Sequence, residues 1–496
     1  MDTTSKKNLG KNFFFNFASQ ILTLIIPLIT SPYLARVLHE TGNGQYSYAI
    51  SIITYFTLFA NLGFDVYGQR QIALKFGDKE EQSKTFFEIF ILKIVFTFIS
   101  LIVLYAIGFS VGYGENYTKL ILILSINVIS VPFDIQFLFR GLEKFKLIAI
   151  RTIIIKIINL VCIFLFVKTE NDLWVYALIT ACSTLLSNLV MWTSIRKDIK
   201  FVKFYELKFK RHIGPAVMIF LPTLTTTVYS VFDKTMIGLL SQNPDYDNGC
   251  YEKAYSLNSI MLLCITFISQ VMASRNAQEY GKDNYDNFKT NLYFSINYIW
   301  LISLPLIIGN YVLADNLSSW FLGDGYIEVP DLLRIMSVRF IVSGLGNMLG
   351  SEYFVIIGKE RYCFWATLAA AILNVGMNAL LIPQIGALGA AFATAACEVI
   401  TFLILCIFVF KENFISLKII LFLSWKYVVS AVIMFIPIYF LNKCFSYSIL
   451  SFLLCTLVGV VTYFIALLIL KDKFVLNGLN IIKNIILKKR ENIDEN

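Results

Sequence analysis

The chain has 496 residues, of which 57% are hydrophobic and 15% charged, with a mean hydropathy of +0.70. No water-soluble domain of this length could cover so apolar a composition with polar surface, so the sequence describes an integral membrane protein. The net charge of +9 therefore calls for a membrane explanation before a nucleic-acid one.

Crossing a hydrocarbon core of about 30 Å takes roughly 20 apolar residues in a helix, because every backbone polar group must be paired within the segment. Apolar runs between charged punctuation predict helices near residues 12–34, 46–63, 86–109, 118–138, 147–167 and 173–193. Six more are predicted near 214–240, 252–273, 291–313, 331–357, 362–383 and 388–410, and a last two near 420–441 and 448–470. The expected fold is an all-α polytopic membrane protein of about 14 transmembrane helices.

Lysine and arginine set the expected orientation. With a cytoplasmic N-terminus, the inner loops hold Lys6, Lys7 and Lys11, then Arg70 to Lys84, Arg140 to Arg151, a dense cluster from Arg196 to Arg211, and a basic tail from Lys471 to Arg490. The outer loops hold chiefly Lys168, Lys253 and Lys443. This asymmetry follows the positive-inside rule and predicts that both termini are cytoplasmic. The basic loops act as orientation signals that also touch anionic lipid, with no nucleic-acid partner. Lys6 and Lys7 precede a full-length span without a small-residue cleavage site, so the first helix is expected to be an uncleaved insertion signal. The nine cysteines fall mostly within predicted helices and show no metal or disulfide spacing, and the only histidines are His39 and His212.

The chain echoes itself. Gly44, Tyr46 and Ala49 recur as Gly249, Tyr251 and Ala254, and Arg70 recurs as Arg275, at a separation of 205 (249 − 44). Gly141, Glu143, Lys144 and Phe145 recur as Gly358, Glu360, Arg361 and Tyr362 at 217 (358 − 141), and Pro27 to Thr30 as Pro222 to Thr225 at 195 (222 − 27). Six helices per copy is an even number, so both copies enter the membrane in the same direction, as in parallel-repeat transporters. The expected division is an N-lobe at 1–200, a C-lobe at 201–415, and residues 416–496 holding two further helices and the tail.

Polar residues mark candidate pathway positions. The first predicted helix carries Asn12, Asn16, Ser19, Gln20 and Thr23 on one face, and its repeat partner carries Thr223, Thr226, Thr227, Tyr229, Ser230, Asp233 and Lys234. Two such faces would line a water-filled cavity or, alternatively, hydrogen-bond within a packed bundle. Charges within hydrocarbon cost a few kcal/mol at least and usually face a cavity or a partner. The candidates are Asp233, Lys234, Arg334, Arg339, Glu352 and Glu398, with Lys93 and Lys156 able to snorkel instead, and Asp65, Asp134 and Arg140 read as interfacial. Arg339, Ser343 and Asn347 share a helix face. A cavity holding Lys234, Arg339 and Arg36 would favour an anionic cargo, with Asn16, Gln20 and Asn347 as polar lining. Asp233, Glu352 and Glu398 would neutralise those cations or carry a coupling Na⁺ or H⁺; no other cofactor is expected.

The stretches PLITSPYLARVLHETGNGQYSYA (27–49), VYGQRQIA (66–73), VFDKTMIGLLS with GCYEKAY (231–255) and LNVGMNALLIPQIGALGAAFATAACEVIT (373–401) resemble bacterial polysaccharide repeat-unit flippases of the Wzx type. These belong to the multidrug/oligosaccharidyl-lipid/polysaccharide exporter superfamily. The resemblance implies a secondary transporter in the bacterial cytoplasmic membrane. It would move an undecaprenyl-pyrophosphate-linked oligosaccharide, for O-antigen or capsule, by alternating access of two lobes. Partners would be membrane lipids and the polymerase and glycosyltransferases of the same pathway. Glu352 stands where the family often has Gln, which would bear on coupling or substrate fit. A drug exporter of the same superfamily is the nearest rival, although its cationic cargo calls for a more acidic cavity. A multispan glycosyltransferase or polymerase fits less well: the longest predicted outer loop, Ala314 to Pro330, has Asp315, Asp324 and Glu328 as solvated turn residues, with no DxD or His, and the chain has no P-loop.

Overall fold

The computed structural model describes residues 3–480 except 111, 113, 413, 417–419 and 422–424; side chains are described from Ile25 onward, apart from 115, 116, 197, 222, 225, 226 and 228–230 within helices. All regular structure among the described residues is helical. In chain order it comprises α1 (Thr3–Asn61), α2 (Phe64–Leu74), α3 (Lys79–Ser110), α4 (Glu115–Ser130), α5 (Gln136–Gly141), α6 (Phe145–Phe166), α7 (Leu173–Trp192) and α8 (Lys210–Leu240). There follow α9 (Pro244–Gly281), α10 (Tyr285–Leu322), α11 (Val329–Met336), α12 (Arg339–Asn347) with a π-helical continuation Met348–Phe354, α13 (Glu360–Glu412), α14 (Trp425–Cys444) and α15 (Ile449–Ile469).

Nine described helices are long and apolar enough to cross a membrane, or ten if the bent pair Val329–Met336 and Arg339–Phe354 is one span. Two continuous elements are too long for a single crossing. α1 has 59 residues and α13 has 53, roughly 80–90 Å of helix at 1.5 Å per residue, and each is broken near its middle. In α1 the break is His39, with φ 52°, ψ −176°, a conformation that a side chain adopts only under tertiary constraint. The Asn43 amide donates to the carbonyls of Leu34 (2.9 Å) and His39 (2.7 Å), capping the end of the first half. In α13 the break is Gly386, at φ 52° three residues after Pro383. Counting both halves of α1 and α13, the short apolar stretch Tyr117–Ser130 and α8, the helices are consistent with fourteen segments.

By packing, the chain forms two compact units: Met1–Glu252 with Ile382–Gly386, and Lys253–Leu381 with Ala387–Asn496. In unit 1, α1 packs on α3, α4, α6 and α8, and α7 on α4 and α6. Unit 2 is built on α10, which packs on α11, α12, α14 and α15. Lipid tails are as apolar as leucine, so helices in a bilayer associate through close packing and hydrogen bonds. Ala177 and Ala181 of α7 and Ala387, Ala390 and Ala391 of α13 are fully buried, as that mode of association requires.

The repeated glycines explain themselves within unit 1. A Cβ on Gly44 would collide with the Asp245 carbonyl, and a Cβ on Gly249 would collide with the Glu40 carbonyl. Since 245 − 40 is also 205, the contact is reciprocal, the glycine of each echoed triplet seating the chain just ahead of the other triplet. Polar bonds surround it: Gln45 donates to Asp245 at 2.8 Å, Tyr117 Oη donates to the same carboxylate, and Gln242 donates to the Pro383 carbonyl at 3.2 Å. At the other end of the unit, Glu88 holds the loop before α8, accepting from Lys208 N (2.6 Å) and Arg211 (2.7 Å) and bonding His212 Nε2 (2.5 Å), while Tyr67 Oη bonds His212 Nδ1 at 2.9 Å. Arg211 is thus a structural ion-pair partner as well as part of the basic loop.

Gly44→Ala and Gly249→Ala should each destabilise the protein by about 1–3 kcal/mol through overpacking, with Gly346→Ala, which meets open space, as the neutral control. Thermal unfolding in detergent would check the order.

Candidate functional site

Unit 1 encloses a polar cavity of about 380 Å³ walled by α1, α3, α4 and α7. Its charged floor is Lys93, fully buried, which bonds Asp65 at 2.6 Å and donates to the Asp134 carbonyl at 2.9 Å. Asn61 donates to the other Asp65 oxygen at 2.9 Å, leaving its own carbonyl oxygen without a partner. Of the two readings open for Lys93, the structure shows the paired one and not the snorkelling one: its ammonium turns inward because a carboxylate 28 residues earlier in the chain lies within reach. Asp65 and Asp134, read as interfacial, line this cavity.

Unit 2 encloses a cavity of about 330 Å³ bounded by α9, α12 with its π continuation, and α13. Glu398 is its charged group, accepting from Ser343 at 2.8 Å and Arg339 at 3.4 Å. Arg339 is 4% exposed, also bonds Asn258 at 3.2 Å, and lies 4.8 Å over the Tyr255 ring.

The two cavities occupy the same place in each copy. Thr57 and Asn61 line the first where Leu262 and Thr266 line the second, at the 205 separation; Ser130, Asp134, Thr184 and Asn188 correspond to Asn347, Ser351, Thr401 and Leu405 at 217. The charges do not correspond. Arg339 and Glu398 align with Leu122 and Ala181, so each copy places its ion pair at a different level of an inherited cavity.

The other predicted site residues fall as follows. Asn347 lines the unit 2 cavity and is exposed there, its carbonyls accepting from Ser351. Glu352 is fully buried among α9 and α10, accepting from Asn276 (3.1 Å) and Ser295 (2.7 Å). Lys234 forms an ion pair with Glu252, and Asp233, 2% exposed, accepts from Tyr251 Oη at 2.5 Å. Beside them, the Thr235 hydroxyl bonds Ser51 (2.9 Å) and Tyr55 (3.0 Å), so this end of the predicted polar face of α8 is engaged in interhelical hydrogen bonds. Arg36 is exposed and donates weakly to the Pro32 carbonyl at 3.4 Å. Asn16 and Gln20 lie outside the described side chains, as do Thr226, Tyr229 and Ser230. Arg334 pairs with Asp331 (2.7 Å) and with Asp315, which belongs to α10 and is not a loop residue, because that helix continues to Leu322.

The family described as polysaccharide biosynthesis protein matches residues 9–273, and the MatE family matches residues 218–380. A protein of Escherichia coli K12 named as an O-antigen transporter is 22% identical over 412 residues, covering 82% of this chain and 98% of that protein. A protein of Haloferax volcanii named as a low-salt glycan biosynthesis flippase is 23% identical over 167 residues, 34% of this chain and 35% of its own length. Among solved structures, the lipid II flippase MurJ in an inward closed conformation superposes with TM-score 0.72 at 19% identity, covering 93% of this chain and 99% of its own. An inward-facing multidrug resistance transporter of the MATE family gives 0.60 at 16% identity, covering 80% of this chain and 99% of its own. These likenesses establish the fold.

Lys93→Met should destabilise the protein, because it leaves the half-buried Asp65 carboxylate without its cation. Adding Asp65→Asn should restore part of the loss, read as the melting temperature of the double variant against each single one.

Proposed function

The chain belongs to the polysaccharide biosynthesis protein family, and from that membership we propose that it is a transporter, not an enzyme, that flips lipid-linked oligosaccharides across a membrane. The observation that carries the proposal is the family match across more than half of the chain, in a fold whose structural neighbours include a lipid flippase. The finer reading is that the cargo is an undecaprenyl-pyrophosphate-linked repeat unit. It would be moved from the inner to the outer leaflet of the bacterial cytoplasmic membrane by alternating access of two lobes, with both termini cytoplasmic and the pathway's polymerase and glycosyltransferases as partners. A polar cavity in each unit supports a hydrophilic cargo, since hydroxyl and amide groups that line open space are available to bond one.

Arg339, Lys234 and Arg36 remain the proposed contacts to pyrophosphate or acidic sugars, with Asn16, Gln20 and Asn347 as polar lining. Two of these cations already have carboxylate partners, Glu398 and Glu252. An arriving anion would therefore displace a carboxylate, and protonation or Na⁺ binding at that carboxylate would ease the exchange. This is the chemical sense in which Glu398 would couple transport to a cation gradient; Asp233, which accepts from Tyr251, and Glu352, which accepts from Asn276 and Ser295, would act as proton or Na⁺ sites in their own right.

In proteoliposomes, the protein should move a fluorescent undecaprenyl-pyrophosphate oligosaccharide between leaflets, read by accessibility to a membrane-impermeant quencher. Arg339→Gln should lower the rate at least tenfold with insertion unchanged, whereas Glu398→Gln should remove the response to an imposed Na⁺ or H⁺ gradient. Wild-type protein that leaves such lipids in place, whatever the sugar, would refute the proposal.

A further inference from the structure

Arg151 belongs by sequence to the basic group Arg140 to Arg151 that runs into the start of the fifth predicted helix, yet its side chain is buried, with 7% exposure. It donates to the Ser187 carbonyl at 3.0 Å and to the Thr152 hydroxyl at 3.3 Å, joining α6 to α7. Its Nε is enclosed and has no hydrogen-bond partner. A guanidinium leaves a donor unmade inside a protein only at a cost, which an acceptor supplied from outside would remove.

Two cavities of unit 1 meet this side chain. One, of about 520 Å³, is an apolar slot lined by Leu147, Ile150, Ile154 and Met191, of which Ile150 and Ile154 are exposed, together with Lys144 and Lys146. The other, of about 470 Å³, is a polar cleft that includes Lys156, Asn159, Ser183 and Ser187, together with Asp134 as its one carboxylate. Lys156, which the sequence allows to snorkel, lies on this cleft, about 7.5 Å along α6 from Arg151 at 1.5 Å per residue. Lys144 is partly balanced by its ion pair with Asp198. Arg151 is the residue the two share, so its guanidinium, with an unsatisfied donor, has apolar surface with Lys144 and Lys146 on one side and hydroxyls and amides with Lys156 on the other.

We propose that Arg151, between the slot and the cleft, is a binding site for the phosphate of a lipid-linked (pyro)phosphate, with the lipid chain in the slot and the attached sugar facing the cleft. The order of the three environments is the order of the three parts of such a molecule. A planar guanidinium suits a phosphate better than an ammonium does, because it offers parallel donors to two oxygens. An ordinary phospholipid shares the tail and phosphate but brings only a small head group to the polar cleft, and free pyrophosphate offers nothing for the slot. The site rests on the flippase reading for its ligand and adds a contact on α6 to it.

The test uses purified full-length protein in nanodiscs of neutral lipid, with farnesyl-pyrophosphate-linked N-acetylglucosamine as probe and farnesol, inorganic pyrophosphate and phosphatidylglycerol as comparators. The sugar-bearing probe should bind at least tenfold more tightly than each comparator. Arg151→Lys, which keeps the charge and the tether to Ser187 but removes the fork, should weaken that binding about tenfold, and Lys146→Gln, at an exposed position of the slot, should weaken it severalfold without affecting folding. Equal binding of farnesol, of inorganic pyrophosphate or of phosphatidylglycerol would overturn the assignment, as would unchanged affinity in both variants. The flipping assay separates the two readings: flipping by wild type with binding indifferent to Arg151 removes this site alone, and Arg151-dependent binding without flipping removes the transport reading alone.

Discussion

A charge inside an apolar helical bundle must be neutralised where it stands, and this constraint organises the polar interior. Transferring an unpaired ion out of water costs far more than a few hydrogen bonds return, so such groups occur with partners or against water-filled space. Lys93 stands between Asp65 and the Asp134 carbonyl, Arg339 between Glu398, Asn258 and the Tyr255 ring, and Glu88 among Arg211, His212 and the Lys208 amide. Each of these clusters draws its members from two or more helices. The same interactions that make the charges tolerable therefore tie the helices together.

Duplication and divergence act on different parts of this arrangement. The cavity walls recur in both units at matching positions because helix packing and small residues set them, and both are inherited with the backbone. Ion pairs depend on single side chains and are free to change. Moving a pair requires two substitutions on different helices at once, since either alone strands a charge.

The sequence made the helical class and the doubling legible because both are written in long runs: apolar stretches of membrane-spanning length and glycine patterns repeated in order. The Gly44 and Gly249 echo even pointed to a real contact, although only the structure shows each glycine seated on the chain just ahead of the other triplet. What the sequence could not show were pairings at long range. Asp65 lies 28 residues from Lys93 and Glu398 lies 59 from Arg339, and nothing local distinguishes a snorkelling lysine from a buried one. The extent of α10 was hidden for a related reason: polar residues beyond Leu313 look like loop, but Asp315 is held within the helix by Arg334. Arg151 was masked by its neighbours, since a basic residue in a basic group already has a sufficient explanation.

Pairing also limits how the site can work. A cavity lined by bare cations would hold a pyrophosphate tightly and release it slowly, which suits a binding protein better than a transporter. Cations already engaged by carboxylates offer weaker net attraction, and the difference between bound and released states then depends on who holds the carboxylate's charge. If Arg339 takes up the proposed anion, its acidic partner Glu398 is as much a part of that recognition as the arginine. A variant that merely added positive charge to the cavity would be expected to bind better and transport worse.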